Sequence, residues 1–263
     1  QRAQLTRADY TSCTRNGDGM PAWLLSAERV KLDFEANEGV AEGAVLRFLG
    51  VPILAAPVLS FPLTDERKSG WLPPTLNLDS KSGFEVAVPW YWNIAPQRDA
   101  TFTPIAYTRR GFGLLSEARY LEPRHGGELQ WHWLPHDRVF DGSRSALQWK
   151  QQGLAFGSTA GNAWRWRHEG LRVSDDAYWK DFGRPLRSFT PRLLPLSAAA
   201  ERDWRVAGMD TTSYARVQYW QVLQDADPLA LITAPYHRAP QIGWRGLGQP
   251  WGNGVELSFE AEA

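Results

Sequence analysis

The stretch Glu128-Leu129-Gln130-Trp131-His132-Trp133 alternates strictly, with Leu129, Trp131 and Trp133 on one register and Glu128, Gln130 and His132 on the other. A period of two belongs to a strand, whose successive side chains point to opposite faces. The pattern recurs on both sides of this stretch. In Phe84–Trp92, residues Phe84, Val86, Val88, Trp90 and Trp92 oppose Glu85, Ala87, Pro89 and Tyr91. Trp164 and Trp166 alternate with Arg165 and Arg167, and Ala215, Val217 and Tyr219 with Arg216 and Gln218. Turn clusters such as Arg109-Arg110-Gly111 and Asp141-Gly142-Ser143 separate the runs. The reading is an antiparallel all-β protein. One short helix is expected, at Leu194–Trp204, where Ala198, Ala199 and Ala200 precede Glu201 and Arg202.

The first sixty residues carry smaller side chains. Strands are expected at Ala27–Phe34 and Ala44–Phe48, joined through Glu35–Gly43. Val51–Phe61, interrupted by Pro52 and Pro57, suits an edge or a bent connector. The polar run Thr64–Gly70 follows, and the Trp-rich part begins at Trp71. A domain boundary is placed near residues 60–70, giving domains 1–62 and 63–263.

Composition narrows the classes. With 29 basic and 29 acidic side chains in 263 residues, the chain lacks the basic excess of a nucleic-acid binder, and no nucleic acid is expected as a partner. No run approaches 18 apolar residues, which excludes a transmembrane helix. The 14 Trp residues suit a sugar-binding surface, a crowded β core or the aromatic girdle of a membrane barrel. Alternation alone cannot separate a soluble sandwich, with its apolar face inward, from a barrel, with its apolar face towards lipid. Two features lean towards the barrel: aromatics gathered near strand ends, and long charged side chains repeated along the alternate face. The chain opens at Gln1 without an initiator Met or a signal peptide, so it is expected to be a piece of a longer protein.

Chemistry-bearing motifs are few. The lone Cys13 cannot form a disulfide within the chain or a cysteine-cluster zinc site. Asp181-Phe182-Gly183 matches a kinase triplet without the other kinase motifs and reads as a strand-end turn. His132 and His136 have metal-ligand spacing only on a helix, and His132 lies in a strand pattern. No metal or cofactor is expected. Glu117, Glu122, Glu128, Asp137 and Asp141 supply carboxylates for a glycosidase, but nothing shows that two converge, and an enzyme is not expected. The prolines say more. Pro73, Pro74, Pro89, Pro96 and Pro104 punctuate the first strands of the aromatic part. Each removes a ladder donor, which protects an edge or builds a seam able to open.

Several strings together resemble a known family. They are Tyr10-Thr11-Ser12-Cys13, Val51-Pro52-Ile53, Phe61-Pro62-Leu63, Arg67-Lys68-Ser69-Gly70 and above all Val88-Pro89-Trp90-Tyr91-Trp92-Asn93-Ile94-Ala95-Pro96 with Asp99-Ala100-Thr101. They are similar to the lipopolysaccharide (LPS)-assembly proteins of the outer membrane, the organic-solvent-tolerance family. The resemblance implies the end of a periplasmic β-jellyroll (1–62) followed by the first strands of a large antiparallel transmembrane β-barrel (63–263). It implies transport of LPS to the outer leaflet through a jellyroll groove and a lateral gate. Implied partners are LPS, outer-membrane lipid, a plug lipoprotein in the lumen and a periplasmic jellyroll bridge protein reached through a preceding segment. The implied location is the outer membrane, with the N-terminal part in the periplasm. The family cysteine matched by Cys13 bonds one near the distant C-terminus, outside this chain. Pro74 and Pro89 match prolines that loosen the gate, and Pro73 is a departure from the pattern. By alternation, Val30, Leu32, Phe34 and Val45 are lipid-groove candidates, with Leu46 and Phe48 facing the other way. Arg165, Arg167 and Arg216 are candidates for phosphate contact in the lumen if their face points inward. The gate's last strand is expected to be missing, so this piece alone should transport nothing. The rival readings are a porin-like channel, favoured if Gln1–Pro62 were barrel strands, and a secreted Trp-rich sugar-binding sandwich.

Overall fold

A computed structural model describes residues 1–11, 13, 21–48, 50–64, 66–155, 163–182, 192–206, 208–248 and 258–263. It divides into two compact units, Gln1–Pro73 with Trp90–Asn93, and Pro74–Pro89 with Ile94–Ala263.

The first unit holds an antiparallel sheet of four strands, β1 (Arg2–Tyr10), β2 (Trp23–Asp33), β3 (Glu38–Phe48) and β4 (Val51–Phe61), paired in chain order. The connector expected at Glu35–Gly43 is much shorter, because β2 reverses into β3 within residues 34–37. Asn37 takes the left-handed conformation there (φ 50°), which Asn tolerates better than most residues. Its Oδ1 accepts hydrogen bonds from the amides of Leu63 (3.1 Å) and Thr64 (3.0 Å), anchoring the segment that leaves β4. The proline-bearing β4 lies at a sheet edge, as its sequence requires. A two-residue strand, β5 (Gly70–Trp71), pairs with Tyr91 and Trp90 at the start of β8 (Trp90–Ala95).

One transverse line interrupts the four-stranded ladder. The rungs Arg7–Glu28, Ala27–Ala44, Glu28–Gly43 and Gly43–Pro57 are missing, although the rungs bordering this gap keep one register. Arg7 (φ 57°) and Gly43 (φ 63°) are left-handed at this line. Alternation therefore changes phase across it. Val30 and Ala41 are buried on one side, and Ala27 and Ala44, each three residues away, are buried on the other. All four belong to one apolar cluster, joined by Ala8, Leu25, Leu32, Ala56, Leu59 and Phe61.

The second unit begins with the hairpin β6 (Thr75–Asp79) and β7 (Gly83–Ala87). It continues through β9 (Arg98–Tyr107), β10 (Gly111–Leu121), β11 (His125–Asp137), β12 (Gly142–Leu154) and β13 (Arg165–Val173). A single helical turn, α1 (Tyr178–Asp181), precedes β14 (Leu193–Val206), β15 (Met209–Val222), β16 (Arg238–Leu247) and β17 (Ser258–Glu262). β7 and then β9 to β17 pair antiparallel in sequence order, with β6 outside β7 at one end. The helix expected at Leu194–Trp204 is strand β14, hydrogen-bonded to β13 on one side and to β15 on the other. Two flanking ladders outweigh the helix propensity of three alanines, a weak local preference.

Cross-strand partners share a face, so the two faces can be followed across the sheet. One carries Trp131 opposite Leu147, Trp133 opposite Leu114, Trp166 opposite Ala200 and Ala215 opposite Ile242. The other carries Glu117 opposite Gln130, Lys150 opposite Glu169, and Ala199 between Arg167 and Arg216. Apolar side chains stand exposed on their face, with Leu129, Trp131, Ile242 and Trp244 42%, 38%, 57% and 42% accessible, and on the polar face Glu128, Lys150, Arg167 and Glu169 are exposed as well. The buried core instead lies with the polar face, where His132, Leu134, Ala146, Leu171 and Val173 meet Tyr178 and Phe182.

Candidate functional site

Four features of the structure bear on function, and the first is a break in the leading strands. The run expected as one strand over Phe84–Trp92 divides at Val88-Pro89, because Pro89 has no N–H to continue the ladder. Before the break, Thr75 pairs with Ala87, and Val88 N–H donates to the Pro104 carbonyl (3.1 Å). After it, Trp90 pairs with Trp71, while Asn93 N–H donates to Ser69 Oγ (2.8 Å) and Asn93 Nδ2 to the Arg67 carbonyl (2.7 Å). Leu72, Pro73 and Pro74, between β5 and β6, and Val88 and Pro89, between β7 and β8, thus form no rungs with each other. The chain passes between the two units at Pro73–Pro74, at Pro89–Trp90 and at Asn93–Ile94.

The second feature is the polar face. Arg165, Arg167 and Arg216 all lie on it. They differ in freedom. Arg165 is ion-paired to Asp203 (2.7 Å) and Glu201 (3.3 Å), and Arg216 bonds Gln241 and approaches Glu262 (3.6 Å). Arg167 is exposed and lines a cleft of about 460 Å³ with Arg165, Arg124, His125 and Gln152.

The third was not read from the sequence. Beneath α1, Arg110 and Arg144 are 2% and 0% exposed and meet three carboxylates. Arg144 holds Asp175 through two hydrogen bonds (2.7 and 2.9 Å) and reaches Asp181 (2.6 Å) and Asp137 (3.3 Å). Arg110 reaches Asp137 (2.7 Å) and Asp181 (2.9 Å). Asp137 Oδ1 also accepts from the Val139 amide (2.9 Å). Phe182 closes the cluster, with both guanidinium groups about 5 Å from its ring (5.2 and 5.1 Å). Tyr178 Oη bonds His132 Nδ1, and burial raises the phenol well above its usual range, keeping it neutral. Asp181-Phe182 is therefore the end and cap of α1 rather than a strand-end turn; Gly183 lies outside the described residues. The available signal was the concentration of Arg and Asp at turns: Arg110, Asp137, Arg144 and Asp175 stand at or within two residues of strand ends, and Asp181 ends α1.

The fourth is the apolar cluster of the first unit. Val30 is buried within it, Leu32 is packed against it, and Phe34 follows β2, 55% exposed. Val45 pairs with Ser26, whose Oγ accepts from Arg47, on the face opposite Ala44. The phase change at Gly43 thus separates Val45 from Val30. It does not alter the expectation that Leu46 and Phe48 oppose Val45. Cys13 is a half-buried free thiol whose amide bonds Thr11 Oγ1 (3.1 Å).

Three of the five candidate carboxylates find structural partners. Glu117 accepts from Gln130 (2.9 Å), Glu122 pairs with Arg98 (2.6 Å) and Asp137 is held by two arginines, so these carboxylates are engaged with cations and amides. His132 is buried and His136 exposed on one strand. Among the described residues no cluster of His, Cys, Asp and Glu is placed to hold a metal. β1 to β4 form their own sheet, apart from the large one, unlike the single run of barrel strands that the porin reading requires.

Comparison with known proteins gives concordant matches. The family model described as LPS transport system D matches residues 143–263, and that described as LptD protein matches residues 40–129. The chain is 44% identical to the LPS-assembly protein LptD of Acidovorax sp. (strain JS42), over 99% of this chain and 32% of that protein. It is 44% identical to the protein of the same name from Albidiferax ferrireducens, over 100% of this chain and 33% of that protein. With the Polaromonas sp. protein it shares 45% over 90% of this chain and 28% of the other. The chain spans about a third of the length of the curated relatives it matches.

Proposed function

We propose, from the premise that this chain belongs to the LPS transport system D family of LPS-assembly proteins, that it is the part of such a protein where LPS passes from a periplasmic jellyroll into an outer-membrane barrel. The observation that supports this reading is the two-faced large sheet, with exposed apolar side chains on one face and charged and amide side chains on the other over strand after strand. That polarity suits lipid on one side and water on the other.

In this reading acyl chains travel against the apolar cluster of the first unit, along Val30, Leu32 and Phe34, each buried methylene contributing about 0.8 kcal/mol. They enter the bilayer where Pro74 and Pro89 leave the leading strands unpaired. Sugars and phosphates follow the polar face, with Arg167 the most available of the three arginines to meet phosphate. Cys13 is free to bond a cysteine elsewhere in the whole protein. A plug lipoprotein would occupy the polar side, and a periplasmic bridge would deliver LPS to the jellyroll. The activity is transport without catalysis, in the outer membrane, with residues 1–62 in the periplasm.

The test is photocrosslinking in the full-length protein, with the probe at Leu32, Phe34 and Val45 in turn, followed by immunoblotting for LPS. Adducts are expected at Leu32 and Phe34 and not at Val45. A properly folded protein that yields none at any position would overturn the reading.

A further inference from the structure

The first hairpin is held differently at its two ends. At the proline end its strands have no rungs beyond Thr75–Ala87. At the turn end, contacts converge. Asp79 Oδ1 accepts from the amides of Lys81 (2.7 Å) and Ser82 (2.8 Å), which shapes the turn. Arg109 N–H donates to the Ser82 carbonyl (3.2 Å) and its guanidinium to the Ser80 carbonyl. Lys81 Nζ then crosses to the Lys180 carbonyl on α1, 99 residues away in sequence.

α1 is itself fixed from below by the buried Arg110 and Arg144 through Asp175 and Asp181, and at its side by Lys180 Nζ on Asp225 (2.7 Å). Between α1 and the face of β6 that carries Asn77 lies a cavity of about 620 Å³, lined by Asn77, Glu85, Tyr107, His132 and Phe182 among others. Strand β6 pairs with β7 alone among the described strands of the large sheet. Across the cavity, the hairpin is therefore tied to α1 at its turn.

We infer that the segment Asp175–Phe182 is a strap that positions the first hairpin, with Lys81 as its positioning residue, so that the leading strands part from the proline end while the turn end stays pinned. The inference rests on the reading that the proline break is the lipid exit. Buried ion pairs add little net stability but fix one arrangement strongly, since losing a partner strands a charge. That property suits a strap. An exposed lysine donating to a backbone carbonyl is a contact that can be removed without disturbing the core.

The experiment uses the full-length protein with Lys81→Ala and Lys81→Arg. Hydrogen exchange in lipid nanodiscs is read at residues 75–79 and, as an internal reference, at residues 111–121. Lys81→Ala is expected to speed exchange at residues 75–79 about fivefold, the effect of one lost charge-assisted hydrogen bond open to water. Lys81→Arg should restore the slow rate, and residues 111–121 should not change. In cells, Lys81→Ala should raise sensitivity to a large polar antibiotic and Lys81→Arg should not. Unchanged exchange at residues 75–79, or faster exchange with unaltered sensitivity, overturns the inference. The lipid-exit reading stands or falls separately: Pro74→Ala with Pro89→Ala, which restores two ladder donors, should slow arrival of LPS at the cell surface. If arrival is unaffected, that reading fails whatever the exchange data show.

Discussion

Leu147 and Gln148 are neighbours on β12 that face opposite ways, and replacing each with Arg separates a lipid-facing sheet from a water-facing one. Leu147 is exposed on the apolar face opposite Trp131, and Gln148 lies on the polar face opposite Gln130. Leu147 stands five residues from the nearer end of the strand, Gly142. At ~3.4 Å per residue and a strand tilt of about 40°, that is ~13 Å along the membrane normal, close to the middle of an apolar band ~25 Å tall. Arg at that depth costs about 2–4 kcal/mol, whereas a lumen-facing position should lose less than about 1 kcal/mol. In water, by contrast, an exposed Leu→Arg change would stay within about 0.5 kcal/mol. The assay is denaturant unfolding of the full-length protein folded into lipid vesicles, comparing both variants with the parent. A large loss for Leu147→Arg beside a small one for Gln148→Arg is expected. Equal losses, or the reverse order, would refute the assignment of faces.

Four further outcomes follow from the geometry. Asp181→Ala leaves Arg110 and Arg144 short of an anion beneath α1 and should cost roughly 3–5 kcal/mol, read as a lowered unfolding midpoint. Gly43→Ala forces a side chain into a left-handed position (φ 63°), where its Cβ would stand 2.8 Å from Glu28 Cγ; a loss of at least about 1 kcal/mol should appear in thermal melts of the protein. Gln221 accepts from the Val173 amide (3.1 Å) and donates to the Val173 carbonyl (2.8 Å), so Gln221→Ala should speed exchange of the Val173 amide about tenfold. The Lys180 ammonium hydrogen-bonded to Asp225 holds that carboxyl below its usual range. Its contribution is therefore complete above pH ~4 and is lost as pH falls through the depressed value. Asp225→Asn should flatten the acid limb of the unfolding profile; an identical limb in both proteins would count against the contact.

Much of the large sheet was legible because a sheet with one apolar face writes a period of two into the chain, as in Leu129, Trp131 and Trp133. What alternation could not say was how each face met its surroundings, and the structure leaves apolar side chains such as Trp131 and charged ones such as Arg167 exposed on opposite faces. The helix expected over Ala198–Ala200 failed because local propensity cannot register the neighbours β13 and β15. The break at Pro89 was visible only as a missing donor; that it ends a strand depends on Trp90 pairing with Trp71. Of the candidate residues, the arginines shared a face because register carries parity across strands. Val45 lost its link to Val30 because a single left-handed glycine resets that parity. The cluster around Arg144 stayed hidden, since its members come from separate strand ends and from α1 and share no sequence motif.

The interrupted line through Arg7, Glu28, Gly43 and Pro57 has a consequence for how this sheet can change over time. Each strand shifts phase at the same level, so the apolar side chains above and below still gather in one cluster. A one-residue insertion or deletion near the line in any single strand would turn half of that strand inside out relative to its neighbours. Length changes here should therefore be found in all four strands together or in none. Gly43, squeezed against Glu28, should be replaced only alongside its neighbours on the line.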